Sequence, residues 1–548
     1  MDLTLLENRL SDEINVDSIR ALDEKIKEHE RLVIELKRAR NSLLNVSKLP
    51  PEVLGNIFRW NVTLKDDFGG LNKRSHNFLR VCHHWFEVAY RTPELWSFWG
   101  NTFEDWSRRC RHPEPAPLDL VLDNVRAYDP FEYPISDTLS EALQDRATRD
   151  NIRRIHLRAQ DSELLNEAIT PLTPACEGVR PSSVVSFILL NGDDAPVDVS
   201  DFFTRHRFLK LQRLRLHNCT FLSWECLVSQ TTVLTTLDLD FTTPPPAPST
   251  SQLLSIFSSN PALREVVLGK GVVPGDDDKS SSQVKLHHLK NLELEGDLRH
   301  AIRLLQRLDH PRNMDRLRLT LCDCDMADIS QIIGPYLREH LQRRDRSQNG
   351  LCLSISAGYN RRYRGNQVIL HAGDAGGINL FSPALERKDM FVAITLVLKV
   401  ADRRDIVRRA GLGLIVETPR EDVVYLHTND DPVVMEDTYT QFPNLRGFSS
   451  SGTPLSNIFP DPNLIGDNKI FPSLERVRLK PRFELTADWS PLVTFLEHRT
   501  SSGNRLDTLV IDGSAHLCPG VEKGIRSMVR EFIAPKVNRP CPYSTCKR

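Results

Sequence analysis

The residues that could form a catalytic triad lie close together in one short stretch, DGSAHLCPG, which contains Asp512, Ser514 and His516. An acid, a hydroxyl and an imidazole are the groups that nucleophilic acyl transfer requires. Triad members usually come from separate parts of a fold and are seldom neighbours in sequence. Small and turn-forming residues dominate the stretch, which is typical of a loop. We therefore expect no catalysis there.

Cysteines raise a second possibility, a metal centre. The closest pairs are Cys322 with Cys324 and Cys541 with Cys546, and neither has a second pair at the spacing of a structural zinc site. The sequence also lacks an H-E-x-x-H motif, a P-loop and a G-x-S-x-G elbow. We expect no metal, no other cofactor and no enzymatic activity. The alternative is an unrecognised active site between residues 350 and 440.

The overall charge excludes some classes of partner. The 548 residues include 71 Lys and Arg against 73 Asp and Glu, which gives a net charge of −2. Such a chain has no general positive field for nucleic acid or an anionic membrane. The acidic start MDLTLLENRLSDE does not resemble a signal peptide, and no long apolar run predicts a membrane span. Eleven cysteines without a framework spacing favour reduced thiols in a cytoplasmic or nuclear protein.

The first element predicted along the chain is a helix from about Ser18 to Leu43. Residues at alternating steps of three and four form a heptad seam there: Ile19, Leu22, Ile26, His29, Val33, Leu36, Arg40 and Leu43. Two seam positions are polar and the repeat is short. Two interpretations stay open: an amphipathic helix lying on a neighbouring part of the same protein, and a short coiled coil between two copies.

A second helical segment begins in LPPEVLGNIFRW, residues 49 to 60. Proline is tolerated in the first turn of a helix, and Glu52 suits the positive end of the helix dipole. The apolar residues then fall in three clusters: Val53, Leu54, Ile57 and Phe58; Leu79, Val81, Cys82, Trp85, Phe86, Val88 and Ala89; Pro93, Leu95 and Trp96. A segment of about 50 residues is too small to bury this much apolar surface by itself, so we expect it to bind a partner.

These clusters resemble the F-box, the helical module through which substrate receptors join SCF ubiquitin ligases. The resemblance implies that Pro50, Leu54, Ile57 and Phe58 face the adaptor subunit, and that the later aromatic residues form the small core or complete the interface. The full set of adaptor-binding residues that it implies is Leu49, Pro50, Leu54, Ile57, Phe58, Leu79, Val81, Cys82, Trp85, Leu95 and Trp96.

A short motif, L-x-x-L-x-L, recurs after the F-box-like segment. Copies start at residues 152, 211, 234, 263, 289, 314, 474 and 506, so that 23 to 29 residues separate the five from 211 to 314. Strand side chains alternate, so the last two apolar residues of each copy point to one face, and stacked repeats can share a core with returning helices such as QLLSIFSS and AIRLLQRL. This resembles leucine-rich-repeat proteins, and more closely the F-box members that carry such repeats, including a large fungal set.

The residues between the leucines point to the other face of each predicted strand. Their charges change from basic to acidic and back along the array, which suggests an acidic centre between basic shoulders that selects a target protein. Ordinary solvated charges are the alternative, because an exposed ion pair contributes only about 0 to 1 kcal/mol. The predicted target-binding residues are Arg154, Arg158, Arg213, Arg215, Asp238, Asp240, Glu265, Glu293, Glu295, Arg316 and Arg318.

The sequence therefore predicts an α/β protein with an N-terminal helical F-box and a leucine-rich-repeat solenoid built on a curved parallel sheet. The expected function is substrate recognition for an SCF-type ubiquitin ligase, with the adaptor, a cullin held through it, and an unknown target as partners. An adaptor-bound scaffold without ubiquitin transfer is the alternative, and a compact α/β domain is the alternative for the C-terminal half. The expected segments are residues 1–46 (helix), 47–100 (F-box), 101–150 (linker and cap), 151–535 (repeats, irregular over about 322–440) and 536–548 (tail).

Overall fold

The computed structural model describes most, but not all, of the chain. The account below concerns residues 16–62, 77–99, 117–125, 150–173, 180–220, 224–241, 247–275, 283–309, 311, 314–324, 329–343, 351–360, 365–374, 390–398, 418, 420–429, 442–452, 455–459, 471–480, 488–512 and 517–534. The chain divides into two compact units. The first comprises Met1–Glu177 and Ser182–Asp193, and the second Gly178–Pro181 and Asp194–Arg548.

The first unit begins with helices and ends with a short parallel sheet. Its helices are α1 (Val16–Ser42), α2 (Pro51–Val62), α3 (His83–Tyr90) and α4 (Ser162–Ile169), with single 3₁₀ turns at Asn45–Lys48, Asn77–Arg80, Pro93–Trp96 and Thr170–Leu172. Its strands are β1 (Phe98–Trp99), β2 (Leu118–Val125), β3 (Ile152–Ala159) and β4 (Ser186–Asn191), each parallel to the next.

Both helices predicted at the N-terminus are present. Helix α1 covers the heptad seam, and α2 starts at Pro51 with Glu52 in its first turn, as the proline and dipole argument required. Strand β2 lies inside the segment expected to be a linker and pairs with β3, so the ordered sheet begins before residue 151. The predicted tail, residues 536–548, lies outside the described residues.

The second unit is built on a large, mostly parallel sheet. Its strands are β5 (Arg213–His217), β6 (Thr236–Asp240), β7 (Glu265–Leu268), β8 (Asn291–Asp297), β9 (Arg316–Cys324), β10 (Leu351–Asn360), β11 (Gly365–Asp374), β12 (Met390–Leu398), β13 (Val423–Asn429), β14 (Gly447–Ser451), β15 (Arg476–Lys480), β16 (Leu506–Ile511) and β17 (Val529–Ile533). Three further ladders pair two-residue strands: Arg180–Pro181 with His206–Arg207, Val197–Asp198 with Cys219–Thr220, and Val284–Lys285 with Leu308–Asp309.

Helices lie between many of these strands in the sequence. They are α5 (Ser200–Arg205), α6 (Glu225–Gln230), α7 (Thr250–Ser259), α8 (Leu298–Gln306), α9 (Gly334–Arg343, after a π turn at Ile329–Ile333), α10 (Leu455–Ile458), α11 (Ser490–Ser501) and α12 (Pro519–Met528). A 3₁₀ turn, Arg420–Asp422, precedes β13. The two segments predicted to return as helices are α7 and α8. A capping box between Ser249 and Gln252 fixes the start of α7.

Every copy of the L-x-x-L-x-L motif contains a strand. One copy forms β3 in the first unit, and the others form β5 to β9, β15 and β16 in the second. Strands β5 to β9 pair in sequence order, each parallel to the next. Strands β13 to β17 do the same. The mixed α/β class and the large parallel sheet are therefore as predicted.

The middle of the sheet departs from sequence order. Strand β9 pairs with β12, which pairs with β11, then β10, and β10 pairs with β13. Among the described strands of this sheet, β11 alone runs antiparallel to its neighbours. In this region the sequence favours strands at FVAITLVLKV (391–400) and VVYLHT (423–428), which match β12 and β13, and it missed β10 and β11. A three-stranded meander is thus inserted in reverse order into an otherwise sequential sheet.

Alternating burial along β5 to β9 forms the core of this part of the sheet. Leu214 and Leu216 of β5 are buried, and so are the residues that the register aligns with them on the next strands. Side chains from α7 and α8 cover the same core, including Leu253, Phe257 and Leu305, all buried. Each leucine row continues through five strands. A cavity left by shortening one side chain in a row would therefore also disturb the packing of the neighbouring strands.

A buried amide joins two successive turns beneath the sheet. Asn260 follows α7 and is fully buried. Its side-chain oxygen accepts a hydrogen bond from the N–H of Leu234 (2.9 Å), and its amide nitrogen donates to the carbonyls of Ile256 (2.8 Å) and Thr231 (3.2 Å). All three partners are backbone groups, so this side chain fixes the entry into β6 relative to the end of α7.

We predict that Asn260→Ala lowers the free energy of unfolding of the chain by about 2 to 4 kcal/mol, because several buried backbone groups lose their partner. Urea unfolding followed by circular dichroism measures the effect. Asn444→Ala is the matched control, since Asn444 is exposed and donates a single bond to the carbonyl of Glu421. Equal losses in the two variants would contradict a bridging role for Asn260.

Candidate protein-interaction surfaces

The helical segment of the first unit has a small core of its own. Seven buried residues form it: Leu54, Phe58, Phe78, Val88, Ala89, Leu95 and Trp96, with Leu79 and Trp85 packed against them. They come from α2, α3 and the two 3₁₀ turns at Asn77–Arg80 and Pro93–Trp96. We call residues Leu49–Trp96, as far as they are described, the helical module.

Aromatic contacts and one buried hydrogen bond hold the helical module together. The rings of Phe58 and Phe78 stack with centroids 4.4 Å apart, and Trp85 packs against Phe58 at 5.2 Å. The indole N–H of Trp96 donates to the carbonyl of Ala89 (3.0 Å), so the polar atom of this buried ring is satisfied. Such aromatic pairs contribute about 0.5 to 1.5 kcal/mol beyond their buried area.

Helix α2 also carries apolar residues on a face that the core does not use. Pro50, Val53, Ile57 and Trp60 are all exposed, with 47% of Ile57 and 86% of Trp60 accessible to solvent. Their spacing of three, four and three residues places them along one side of the helix. We call these four residues the α2 stripe. An exposed row of large apolar side chains beside a complete core is typical of a protein-binding surface.

The structure divides the predicted adaptor-binding set. Leu54, Phe58, Leu95 and Trp96 are core residues, and Leu79 and Trp85 pack against the core. Leu49 and Cys82 are half-buried. Of the eleven residues, Pro50, Ile57 and Val81 are exposed, so a partner can reach these three without opening the core. The sequence argument missed Val53 as a contact, and Trp60 altogether, although both follow Pro50 at helical spacing.

The face of β5 to β9 opposite the leucine rows carries the predicted target-binding residues of the second unit. The register places Arg215, Asp238, Val267, Glu293 and Arg318 side by side on five successive strands. A parallel row runs beside it through Arg213, Thr236, Glu265, Asn291 and Arg316. We call the side of β5 to β9 that carries these two rows the charged face. The order of charges, basic then acidic then basic, is the predicted one.

Much of that charge is paired within the face itself. Asp238 is only 6% exposed; it forms a salt bridge with Arg215 (2.6 Å) and a hydrogen bond with the Nε2 of His217 (3.1 Å). Glu293 lies 3.6 Å from Arg316 and 3.2 Å from Arg318. The flanking basic residues Arg215, Arg316 and Arg318 therefore neutralise two central acidic residues, Asp238 and Glu293. This weakens the expectation that Asp238 and Glu293 are directly available to a target, because their partners would have to be displaced.

Asp240 lies against the backbone of the next strand. A methyl group at Gly269 would come within 2.4 Å of the Asp240 carboxylate, so only glycine leaves room for it. Gly269 also donates its N–H to the carbonyl of Leu239. The Asp240 side chain is thus held over the end of β7 by the shape of the backbone. Glu265 and Glu295 are both half-buried on β7 and β8.

In the first unit, the predicted residues of β3 belong to a separate ion-pair cluster. Asp119 of β2 is 6% exposed and accepts two hydrogen bonds from Arg153, at 3.0 and 2.6 Å. The hydrogen bonds that Arg153 donates to Asp119 raise the pKa of its guanidinium above the ordinary value. Arg154 lies 3.9 Å from the same carboxylate. Arg158 is half-buried farther along β3.

The residues considered for catalysis or metal binding are not brought together by the described structure. Asp512 pairs with Arg478 at the end of β16, while Ser514 and His516 lie outside the described residues. Within the described ranges, no group of three His, Cys, Asp or Glu side chains is arranged to hold a metal ion. Cys322 is a free thiol, and Cys541 and Cys546 are outside these ranges. Burial raises the pKa of the Cys226 thiol to about 11, which disfavours the reactive thiolate.

Comparison with known proteins adds no relative. No family model matches the chain, and no curated protein matches it. Among the described helices none is long and apolar enough to cross a membrane.

We predict that Asp238→Ala lowers the free energy of unfolding by about 1 to 3 kcal/mol, because Arg215 and His217 lose their shared counter-charge in a mostly buried position. Urea unfolding of the purified chain measures it. Glu265→Ala, on the adjacent strand, is the control and should change stability by less than about 0.5 kcal/mol. A neutral Asp238→Ala would instead identify Asp238 as a residue kept for binding.

Proposed function

We propose that this chain is an F-box-type substrate receptor of an SCF ubiquitin ligase, which binds the adaptor through the helical module and a target protein through the sheet of the second unit. The observation that carries the proposal is the α2 stripe. The described residues of the helical module form a buried core and still expose Val53, Ile57 and Trp60 on one helix face. A surface of this kind favours an apolar protein partner.

The size of the stripe is sufficient for specific docking. Burying a large apolar side chain contributes about 1.5 to 3 kcal/mol, so three such residues supply a central apolar patch. Val81 and Phe86 are also exposed on the same module. Arg59 and Glu94 form an ion pair (2.6 Å) that links α2 to the Pro93–Trp96 turn, which supports a rigid, preorganised surface.

For the second unit we infer a leucine-rich-repeat array. Support comes from strands β5 to β9, whose motifs start 23 to 29 residues apart, and from returning helices such as α7 after β6 and α8 after β8. The reversed meander of β10 to β12 is an insertion into that array. Target recognition would then use the side chains of the charged face that retain exposure, with Glu265 and Arg213 preferred over Asp238.

The mechanism in this proposal is proximity rather than chemistry by the chain itself. The helical module is held by the adaptor and cullin, and the second unit holds the target, so that a target lysine stays near an activated ubiquitin thioester carried by another subunit. The alternative is a scaffold that binds the adaptor without ubiquitin transfer. A cytoplasmic or nuclear location fits both.

We predict that Ile57→Asp combined with Trp60→Ala weakens adaptor binding by at least about a hundredfold, because two apolar anchors of the stripe are lost. Copurification of the adaptor with the full chain, followed by titration calorimetry, measures it. Leu209→Ala, an exposed apolar residue of the second unit, is the control and should bind like the wild type. Circular dichroism should show equal folding in all three, because neither Ile57 nor Trp60 belongs to the core.

Two results would contradict the adaptor proposal: no binding by the wild-type chain, or unchanged binding by the stripe variant. Leu54→Ala and Phe58→Ala are poor probes, since both residues are core and their loss is expected to unfold the module. If the adaptor binds, coprecipitation of a cullin and ubiquitin transfer to a bound target separate the ligase receptor from the scaffold.

A further inference from the structure

Helix α1 exposes its heptad seam along its whole length. Every described side chain from Ile19 to Arg40 is exposed, and 70% of Leu36 is accessible. The expectation that this helix lies on a neighbouring part of the same protein is therefore not met within the described residues. A row of exposed Ile, Leu and Val at heptad spacing leaves a large apolar area in water, which a partner would cover.

Within the described residues, the polar face of α1 comes close to the helical module. Arg38, Asn41 and Ser42 line a cleft of about 310 Å³ together with residues of α3, including His83 and Glu87. Ile19, Ile26 and Val33 occupy heptad position a. In the same register Arg38, Asn41 and Ser42 occupy positions f, b and c, which lie opposite the seam. The side of α1 that borders this cleft is therefore the one opposite the seam.

The residue types in the seam specify the kind of partner. Position a holds the β-branched residues Ile19, Ile26 and Val33, and position d holds Leu22, Leu36 and, just past the helix end, Leu43. In parallel coiled coils, β-branched residues at a combined with leucine at d favour an assembly of two helices. The same seam on a second copy supplies the matching set.

We propose that α1 forms a parallel, in-register two-stranded coiled coil with α1 of a second copy of this chain. In that arrangement position g of one helix faces position e of the next heptad on the other. Lys25 at g then meets Glu30 of the second copy at e, and symmetry provides the pair twice. Both residues are exposed and available.

The polar seam residues favour a parallel, in-register dimer over an antiparallel one. In a parallel dimer His29 faces His29 and Arg40 faces Arg40 of the second copy, so each polar side chain meets another polar one. An antiparallel dimer with the same overlap would place Leu22 against Arg40 and His29 against Val33, and because symmetry provides each pairing twice, polar and apolar residues would mix in four layers. It would also bring the two Glu30 residues together.

A lipid surface fits α1 less well than a second copy does. A helix that lies on an anionic membrane carries mainly Lys and Arg on its polar face. Acidic and basic residues alternate instead along the polar face of α1, as in Glu24, Lys27, Glu28 and Arg31. Arg31 already pairs with Glu35 on the same helix (3.8 Å). This mixed pattern favours a protein helix of the same composition.

The first test is sedimentation equilibrium of the full chain over a range of concentrations. The wild type should approach twice its mass of 62.5 kDa. Ile26→Asp combined with Val33→Asp should weaken self-association by at least about a hundredfold, since both copies lose two seam residues. A wild type that stays monomeric, or a double variant that dimerises as well as the wild type, would overturn the proposal. Adaptor binding, which depends on the α2 stripe, reports separately on the proposed function.

A charge exchange tests the orientation. Lys25→Glu alone and Glu30→Lys alone should each weaken dimerisation about tenfold, because like charges then meet twice, and the two changes combined should restore it. Glu24→Lys, at an outward position, is the control and should have no effect. Failure of the combined variant to recover would reject the parallel pairing.

Cross-linking gives an independent measure of register. Leu22→Cys should form a disulfide between two copies under mild oxidation, because equivalent d positions face each other in the parallel dimer. Arg31→Cys, on the outer face, should remain unlinked. The unchanged chain under the same oxidation controls for its eleven native cysteines. Cross-linking at the outer position but not at Leu22 would contradict the proposed seam.

Discussion

A strand in a sheet can bury only the side chains of one face against a single layer of helices, and this constraint governs most of the second unit. In β5 to β9 the leucines take the buried face, and the residues between them are left with the other one. Because the strands are parallel and in register, both the buried apolar residues and the residues between them form continuous rows. The charged face is thus a consequence of the same alternation that builds the core.

The same constraint acts differently on the helices of the first unit. Helix α2 is flanked by one small core, so Leu54 and Phe58 are covered while Val53 and Ile57, each one position earlier, are not. Helix α1 borders a cleft of the module with its polar back, and the described residues of its seam are exposed. Small cores cover one helix face each, and the remaining apolar faces are where partners are expected.

The sequence predicted those elements whose signal is local. The eight motif strands, the start of α2 and the extent of α1 all follow from periodicity and helix-end chemistry. Strand β10 was missed although LCLSISAGYN alternates apolar and polar residues, because it lacks the L-x-x-L-x-L form. The reversed order of β10 to β12 was not predictable, since strand pairing joins residues far apart in sequence. Which apolar residues of α2 are buried and which are exposed was also not predictable, because four apolar residues at i, i+1, i+4 and i+5 allow two choices of buried face.

Burial also decides which charges can recognise a partner. Asp238 is almost enclosed and shared by Arg215 and His217, so a target that used it would first have to break pairs already made in a poorly hydrated site. A half-buried group such as Glu265 keeps contact with water and can exchange it for a partner at lower cost. The order of charges along a sheet is therefore a poor guide to its specificity until the pairs within the face are known. By this reasoning the central acidic residues first stabilise the sheet, and selectivity toward a target depends on the side chains beside them.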